Sequence, residues 1–149
     1  MTTTYHLEDF KVGQRFGFGQ YEVTKEEIIE FAQQFDPQPH HMDEEAGRNS
    51  ILGGLAASGW HICAMSMRMF VDHFANHTAG RGGVGVEECR WMKPVRPGDV
   101  LRIEMEVVEL RILKSVADAG IVKLRWDIFN QREQVASLTL LPLVSKRGA

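Results

Sequence analysis

The spacing of apolar residues changes once along the chain, from a helical period to a period of two. Apolar residues recur at helical spacing over residues 28–35, and a longer run from about Leu55 to about His77 is apolar nearly all round in its first half. From Gly80 onward apolar and polar residues alternate, which is typical of antiparallel strands with one face in water. The pattern predicts an α+β fold, in which a curved antiparallel sheet wraps around one long buried helix.

Five strands are predicted, one before the long helix and four after it. The glycines of FGFGQYEV indicate a bulge or a close backbone approach in the first strand. In the third strand the alternation changes phase at Val107 and Val108, which indicates a second bulge, and Leu110 and Ile112 are then predicted to carry the apolar face. The predicted strands cover residues 16–23, 83–95, 99–113, 121–129 and 135–144.

A shorter helix is predicted between the first strand and the long helix. Thr24 and Glu27 have the T-x-x-E spacing of a capping box, in which each side chain bonds the backbone N–H of the other residue. Pro37 limits this helix, because the residue before a proline is kept out of the helical conformation. That residue is Asp36, so the sequence places a carboxylate where the chain must turn.

Composition favours a single globular domain that spans residues 1–149. Hydrophobic residues make up 44% and charged residues 25% of the chain, which is ordinary for a soluble protein. The 17 basic and 20 acidic residues form no basic stripe, so nucleic acid is not an expected partner. Cys63 and Cys89 lie far apart in the sequence without a CxxC pair, so two buried, reduced thiols are expected rather than a disulfide.

Neither a membrane span nor a secretory signal is expected. Residues 55–75 are apolar enough to raise the question of a span, but Arg68, Asp72 and His73 interrupt the run before it reaches the roughly 18–20 uncharged residues required. The N-terminal MTTTYHLEDF has neither the basic region nor the apolar region of a signal peptide. We therefore expect a cytoplasmic protein.

The densest group of ionisable residues is FDPQPHHMDEE, at positions 35–45. Asp36 and His41 are separated by Pro37 and Pro39, which are expected to prevent a helix between them and to fix how the two side chains approach. A carboxylate and an imidazole held together can position a water and move its proton, since the pKa of histidine lies near neutrality. Spacing alone favours the structural alternative, in which Asp36 caps a turn and His40 and His41 are solvated loop residues. A metal site is disfavoured, because HHMD supplies at most two ligands where three or four are needed.

A second stretch, GGLAASGWH, surrounds the predicted start of the long helix. A glycine inside a helix costs about 1 kcal/mol relative to alanine, so Gly59 can mark a backbone amide that needs open access. Free N–H groups at a helix start can hold a developing oxyanion. Close packing of a strand or helix against small residues explains the same glycine, and the residues alone do not decide between these interpretations.

Three segments together resemble the MaoC-like hydratase/dehydratase family, which includes the (R)-specific enoyl-CoA hydratases. These segments are FDPQPHHMD, GGLAASGWH and RWMKPVRPGD, in the order and spacing of the family. The family motif D-x-N-P-x-H is matched here from Asp36 to His41, with Gln38 in place of the asparagine. The resemblance covers most of the chain, from about Val12 through the last strand. It implies a hotdog fold, in which an antiparallel sheet surrounds a long central helix.

The resemblance also implies roles for five residues. Asp36 and His41 correspond to the catalytic pair that binds a water, and Gly59 corresponds to the glycine whose amide polarises a thioester carbonyl. Ser58 and Trp60 stand where many members have histidine and methionine, so they are expected to shape the substrate pocket. These two departures affect the pocket shape but not the backbone chemistry of Gly59.

The implied activity is reversible hydration of a 2-enoyl thioester to a 3-hydroxyacyl thioester, without a metal or a redox cofactor. The expected substrate carrier is coenzyme A or acyl carrier protein, and the expected assembly is a homodimer, or a dimer or trimer of dimers. A hotdog acyl-CoA thioesterase is one alternative, although such enzymes commonly use a carboxylate on the central helix and residues 55–71 contain none. A non-catalytic protein that binds acyl thioesters is the other.

Overall fold

The described residues form a five-stranded antiparallel sheet, and one long helix packs against it. The computed structural model describes residues 4–149, so the first three residues of the expected domain and N-terminal segment lie outside the described part. The strands are arranged in the order β1-β3-β4-β5-β2, with antiparallel pairing throughout. Their bounds are β1 Arg15–Glu22, β2 Gly80–Trp91, β3 Val100–Ile112, β4 Ala119–Phe129 and β5 Gln134–Ser145.

From residue 4 onward the chain forms four α-helices, and all of them lie between β1 and β2. They are α1 Lys25–Phe35, α2 Pro39–Met42, α3 Glu44–Arg48 and α4 Gly59–His73, and single 3-10 turns occupy Leu7–Asp9 and Ala75–His77. The α+β hotdog arrangement, a sheet wrapped around one central helix, is confirmed. The proposed single domain over residues 1–149 stays a prediction. No helix in the part of the chain from residue 4 onward is long and apolar enough to cross a membrane.

The central helix α4 is shorter than predicted, and its start was placed wrongly at about Leu55. Residues 55–58 are not helical, because tertiary partners use their backbone groups. The Ala57 N–H donates to the Val95 carbonyl at 2.8 Å, and the Ala56 N–H donates to the His40 carbonyl at 3.4 Å. The helix therefore begins at Gly59, and its 15 residues span about 22 Å rather than 30 Å.

The core forms between α4 and the inner face of the sheet. Phe70 of α4 meets the ring of Trp126 of β4 edge to face, with 4.6 Å between the ring centroids. Trp126 is fully buried, as the alternation of β4 predicts. Burial of aromatic and aliphatic side chains on this scale contributes about 1.5–3 kcal/mol per side chain, which makes it the main stabilising contribution to the fold.

Both predicted bulges are present, but the predicted burial after the second one is wrong. The register of β1 against β3 shifts between Gly19 and Tyr21, and the register of β3 against β4 shifts between Val107 and Glu109. A Cβ at position 19 would lie 2.9 Å from the Cα of Arg102, which confirms the close backbone approach. Leu110 and Ile112 are exposed, because β3 contributes no residue to the hydrophobic core after Val107.

Two local predictions around α1 and α2 also need correction. The Thr24 hydroxyl accepts the Glu27 N–H as expected, but the Glu27 carboxylate accepts the Tyr21 hydroxyl instead of completing the capping box. Pro39 does not prevent a helix before His41. It occupies the first position of α2, where its missing N–H costs nothing and its fixed φ suits the helix.

Candidate active site

One cavity of about 370 Å³ collects four of the five residues predicted for the site. Asp36 follows α1, His41 lies in α2, and Gly59 and Trp60 begin α4. Ser58 does not line the cavity and is 1% exposed. The complete lining comprises Asp36, Gln38, His40, His41, Leu52, Ala56, Ala57, Gly59, Trp60, Ile62, Trp91, Met92, Lys93 and Pro94.

The buried ring of His41 is oriented by a backbone carbonyl. Its Nδ1 lies 2.7 Å from the carbonyl oxygen of Ala56, which can only accept a hydrogen bond, so Nδ1 carries the proton and donates. The other ring nitrogen, Nε2, lies 3.5 Å from Oδ2 of Asp36. In the neutral ring Nε2 therefore has a free lone pair, and it points towards a carboxylate.

Asp36 keeps its negative charge because its neighbours stabilise it. Burial alone raises the pKa of this carboxyl, but the hydrogen bond from Gln38, the nearby Ser58 hydroxyl and the charges of His41 and His40 together bring the pKa below its usual value. The Gln38 amide donates to Oδ1 of Asp36 at 2.7 Å. The glutamine that departs from the family motif thus occupies one carboxylate oxygen and leaves Oδ2 to face His41.

Ser58 lies behind the site rather than in it. Its hydroxyl is close enough to lower the pKa of Asp36, yet Oγ is buried without a partner that has hydrogen-bond geometry. Ser58 is also the residue before α4, and its side chain does not cap the helix. A small polar residue at this point leaves the first amides of α4 free of an internal acceptor.

Gly59 is required because Trp91 of β2 packs directly on its backbone. A Cβ at position 59 would lie only 2.3–2.7 Å from atoms of the Trp91 ring. The Gly59 N–H has no hydrogen-bond acceptor among residues 4–149. Close packing and an accessible amide, the two interpretations of Gly59 left open by the sequence, therefore occur together.

Sequence reasoning missed the wall formed by the end of β2 and the residues after it. Trp91, Met92, Lys93 and Pro94 all line the cavity, and Trp91 meets Trp60 edge to face with 5.2 Å between the ring centroids. The available signal was the segment RWMKPVRPGD, which contributed to the family resemblance without being assigned to the site. His40 was likewise set aside, and it lies against the His41 ring.

A second carboxylate and imidazole pair, Glu27 and His61, lies on another side of α4. Their closest atoms are 3.7 Å apart, but Glu27 is engaged by Tyr21, and the His61 ring stacks on Phe31 with 4.6 Å between the ring centroids. Gly59 does not line the cavity beside this pair. The Asp36 and His41 pair is thus the one that shares a cavity with an unpartnered amide.

Within residues 4–149, no three His, Cys, Asp or Glu side chains are grouped to hold a metal ion.

The sequence profile of the MaoC-like domain matches residues 9–124. The chain belongs to the MaoC-like dehydratase family. It is 42% identical to a MaoC-like dehydratase from Rhodospirillum rubrum, whose crystal structure superposes with a TM-score of 0.89 over 97% of this chain and 99% of that one.

Two further proteins resemble this MaoC-like chain. The uncharacterised protein YdeM of Bacillus subtilis strain 168 is 30% identical over 127 residues, which cover 85% of this chain and 89% of YdeM. An (R)-hydratase from A. caviae involved in PHA biosynthesis shares the fold, with a TM-score of 0.71 and 19% identity over 91% of this chain and 97% of that one. Family membership supports a hydratase or dehydratase.

Adding a methyl group at Gly59 should test the packing of Trp91. We expect Gly59→Ala to lower the free energy of unfolding by about 1–3 kcal/mol, the usual cost of overpacking. In a Trp91→Ala background the same change should cost nothing, since the clashing ring is gone. Urea unfolding of the four proteins in this double-mutant cycle measures the coupling. Equal costs in the two backgrounds would contradict the contact.

Removing the Gln38 side chain should raise the pKa of Asp36 towards its usual value of 3.8. Because the folded pKa is depressed, the ionised carboxylate stabilises the native state above about pH 4, and this contribution is lost as the pH falls through the folded pKa. The stability difference between wild type and Gln38→Ala should therefore shrink in acid. Carbon-detected NMR titration of the Asp36 carboxyl measures the shift, and Gln33→Ala, an exposed glutamine on α1, is the control. An unchanged titration would exclude the Gln38 contribution.

Proposed function

We propose that this MaoC-like protein is a hydro-lyase that reversibly hydrates 2-enoyl thioesters to 3-hydroxyacyl thioesters. The observation that carries the proposal is one cavity lined by Asp36, His41 and Gly59. Two proton acceptors, Asp36 and His41, and one unpartnered backbone donor, the Gly59 N–H, therefore face the same cavity. Addition of water across an activated double bond requires these two features on opposite sides of the substrate.

The facing lone pairs of Asp36 and His41 favour a water between them. With Nδ1 protonated towards Ala56, neutral His41 presents the Nε2 lone pair, and Asp36 presents the oxygens of a carboxylate. These atoms, 3.5 Å apart, repel each other unless a proton donor is shared. A water has two O–H groups and can donate one to each acceptor. Its own lone pair is then available for attack on C3 of the enoyl group.

His41 is the proposed proton carrier, and Asp36 is the proposed anchor. As the water oxygen bonds to C3, Nε2 takes the water proton and Asp36 stabilises the imidazolium that forms. The electron pair of the double bond moves to the thioester, which becomes an enolate. Nε2 then returns the proton to C2, so hydroxyl and hydrogen are both added and the two residues end as they began.

The enolate oxygen is the proposed ligand of the Gly59 amide. Gly59 is the first residue of α4, so its N–H adds to the positive end of the helix dipole. A preorganised donor of this kind contributes about 3–4 kcal/mol to acyl-transfer transition states. The ring of Trp91 packs against the backbone of this glycine. The proposed steps use only groups of the chain itself and no cofactor.

Trp60 and Trp91 are the proposed contacts of the acyl or pantetheine portion. Trp60 is 63% and Trp91 is 47% exposed, so both offer apolar surface at the mouth of the cavity. Ser58, which was predicted to contact the substrate, is buried behind Asp36. We retain it as a residue that acts on the substrate only through Asp36. Coenzyme A and acyl carrier protein are both retained as carriers.

A thioesterase is the less favoured alternative. The sole carboxylate of α4 is Asp72, roughly 20 Å along the helix from Gly59 at 1.5 Å per residue. Asp72 accepts a hydrogen bond from Arg68 at 2.8 Å on the exposed face of the helix. No α4 carboxylate therefore lies near the proposed oxyanion site.

Loss of either acceptor should abolish most of the activity. We expect the kcat/KM for hydration of crotonyl-CoA or longer enoyl-CoAs to fall at least ~10²-fold in Asp36→Ala and in His41→Ala, the scale of lost general acid-base catalysis. Loss of enoyl absorbance follows the reaction. Asp72→Ala and His73→Ala, the same residue types at the exposed far end of α4, are the matched controls and should keep near wild-type rates.

Three outcomes distinguish the rival functions. Full hydratase activity in both Asp36→Ala and His41→Ala would contradict the catalytic role proposed for the pair. Release of free CoA, followed with a thiol reagent and lost in Asp72→Ala, would identify a thioesterase. Tight binding of acyl-CoA without turnover at any chain length would identify a binding protein.

We propose a homodimer formed through the edge of β2. Among the described strands β2 has a neighbour on one side only, and 11 of its 12 residues are exposed. Val84 and Val86 are more than half exposed. A long edge strand left unpaired invites pairing with another chain. Pairing with a second copy of β2 satisfies the backbone groups of both edges.

Sedimentation equilibrium should give twice the 16.9 kDa mass of the chain. Val84→Lys should shift the protein to the monomer, because two like charges would meet near the pairing axis. Val12→Lys is the control, since Val12 is similarly exposed but lies outside the sheet. A wild-type monomer at micromolar concentration would rule out the proposed dimer.

A further inference from the structure

The turn RPGD at positions 96–99 carries part of the family resemblance but takes no part in the steps proposed above. It leads into β3, and its last residue, Asp99, is buried and accepts the backbone N–H of Arg96 at 3.0 Å. Asn130 and Arg132, from the connection between β4 and β5, donate to the same carboxylate. The backbone of Arg96 is therefore anchored to the sheet, and its side chain is free to bond elsewhere.

The Arg96 side chain reaches the segment that precedes the central helix. Its Nη2 donates to the carbonyl of Leu52, a residue that lines the candidate active site. The guanidinium also lies against Gly54, where an added Cβ would be 2.5 Å from Nη1. Nη1 is buried and has no hydrogen-bond partner within residues 4–149. A buried donor without a partner destabilises the folded state, and more so when it is charged, so stability alone does not account for this placement.

Two consecutive residues, Val95 and Arg96, hold the segment 52–57 at both of its ends. At the start of the segment, the Arg96 side chain bonds the Leu52 carbonyl. At its end, the Ala57 N–H donates to the Val95 carbonyl at 2.8 Å. Because both anchors belong to neighbouring positions of one anchored turn, they fix the path of the segment between them.

The Ala56 carbonyl lies between these two anchors. It accepts the Nδ1–H of His41 at 2.7 Å, and so it decides which ring nitrogen carries the proton. The anchor at Leu52 is separated from it by Gly53, at a φ of +69°, and by Gly54. Two glycines in succession make a flexible joint. Without the Arg96 bond, the direction of the Ala56 carbonyl would depend on the anchor at the other end alone.

We propose that Arg96 is a positioning residue of the active site, which holds residues 52–56 so that the Ala56 carbonyl keeps the proton of His41 on Nδ1. Its effect on turnover rests on the hydratase function proposed above, whereas its effect on His41 does not. Arg96 does not line the cavity, so it acts on a substrate only through the residues that it holds. The hydrogen bond at one nitrogen of a histidine ring sets the role of the other nitrogen, and Arg96 supports the partner of that bond.

The tautomer of His41 is the first measurement, made in wild type and in Arg96→Met, which keeps an extended side chain but has no donor. Nitrogen NMR of the neutral imidazole distinguishes the two tautomers, and the signals missing from His41→Ala identify the ring. We expect Nδ1–H alone in wild type and a mixture with Nε2–H in Arg96→Met, because the acceptor at Ala56 is no longer held in place.

Gly54→Ala displaces the guanidinium without removing it. The added methyl group would lie 2.5 Å from Nη1 of Arg96, so the end of this flexible side chain has to move. We expect the same mixture of His41 tautomers as in Arg96→Met, and no further change when the two substitutions are combined, since both act on one contact. This variant decides the matter if Arg96→Met does not fold.

Arg132→Met is the matched control. The Arg132 side chain supports the same turn through Asp99, and it has no hydrogen bond to residues 52–57 within the described chain. Its loss should lower stability but leave His41 with Nδ1–H alone.

Turnover supplies the second measurement. We expect the kcat for hydration of crotonyl-CoA to fall at least ~10-fold in Arg96→Met and in Gly54→Ala, because small displacements of a catalytic group have large effects on rate. The KM should change little, since Arg96 does not line the cavity. Arg132→Met should keep a near wild-type kcat.

Three results would overturn the proposal. The first is Nδ1–H alone in both Arg96→Met and Gly54→Ala. The second is an equal loss of this tautomer in Arg132→Met, which would reduce Arg96 to a residue of general stability. The third is an unchanged kcat in a variant whose tautomer has changed. Absence of hydration by wild type would count against the proposed function instead, and the tautomers would still decide whether Arg96 positions His41.

Discussion

The candidate site depends on the way four buried residues, 55–58, are held just before the central helix. Their backbone bonds outward, with the Ala57 N–H on the Val95 carbonyl and the Ala56 carbonyl on the His41 ring. These contacts keep residues 55–58 out of the helix. They also bring the segments around His41, Ala56 and Val95 together. They delay the start of α4 until Gly59, which puts the unpartnered amide in the cavity that His41 also lines. Without them the apolar run would continue as helix and separate the two groups.

The Ala56 carbonyl also determines which ring nitrogen of His41 carries the proton. Because the Ala56 oxygen can only accept, it assigns the proton of neutral His41 to Nδ1 and leaves Nε2 as the acceptor. Gln38 orients the carboxylate of Asp36 in a similar way. Its amide donates to one oxygen of Asp36 and helps lower the pKa of the carboxyl. A pair of acceptors and a single opposed donor is a suitable arrangement for moving one water across a double bond.

Close packing gives the site its rigidity and also its sensitivity. Trp91 lies so near the Gly59 backbone that no side chain fits between them. Cys63 of α4 and Cys89 of β2, expected to be two buried thiols, are free but only partly buried, and their Sγ atoms lie 3.6 Å apart. A displacement of α4 against β2 is therefore transmitted directly to the amide.

The sequence by itself determined the order of elements, both bulges and the residues worth testing, because apolar periodicity and proline or glycine positions act locally. It did not determine the start of α4, since the competing partners of Ala56 and Ala57 lie on other segments. Nor did it reveal the exposure of Leu110, the role of Trp91 or the meeting of Cys63 with Cys89. Each of these depends on how β2 and β3 pack around α4, and contacts between residues distant in the chain leave no periodic signal.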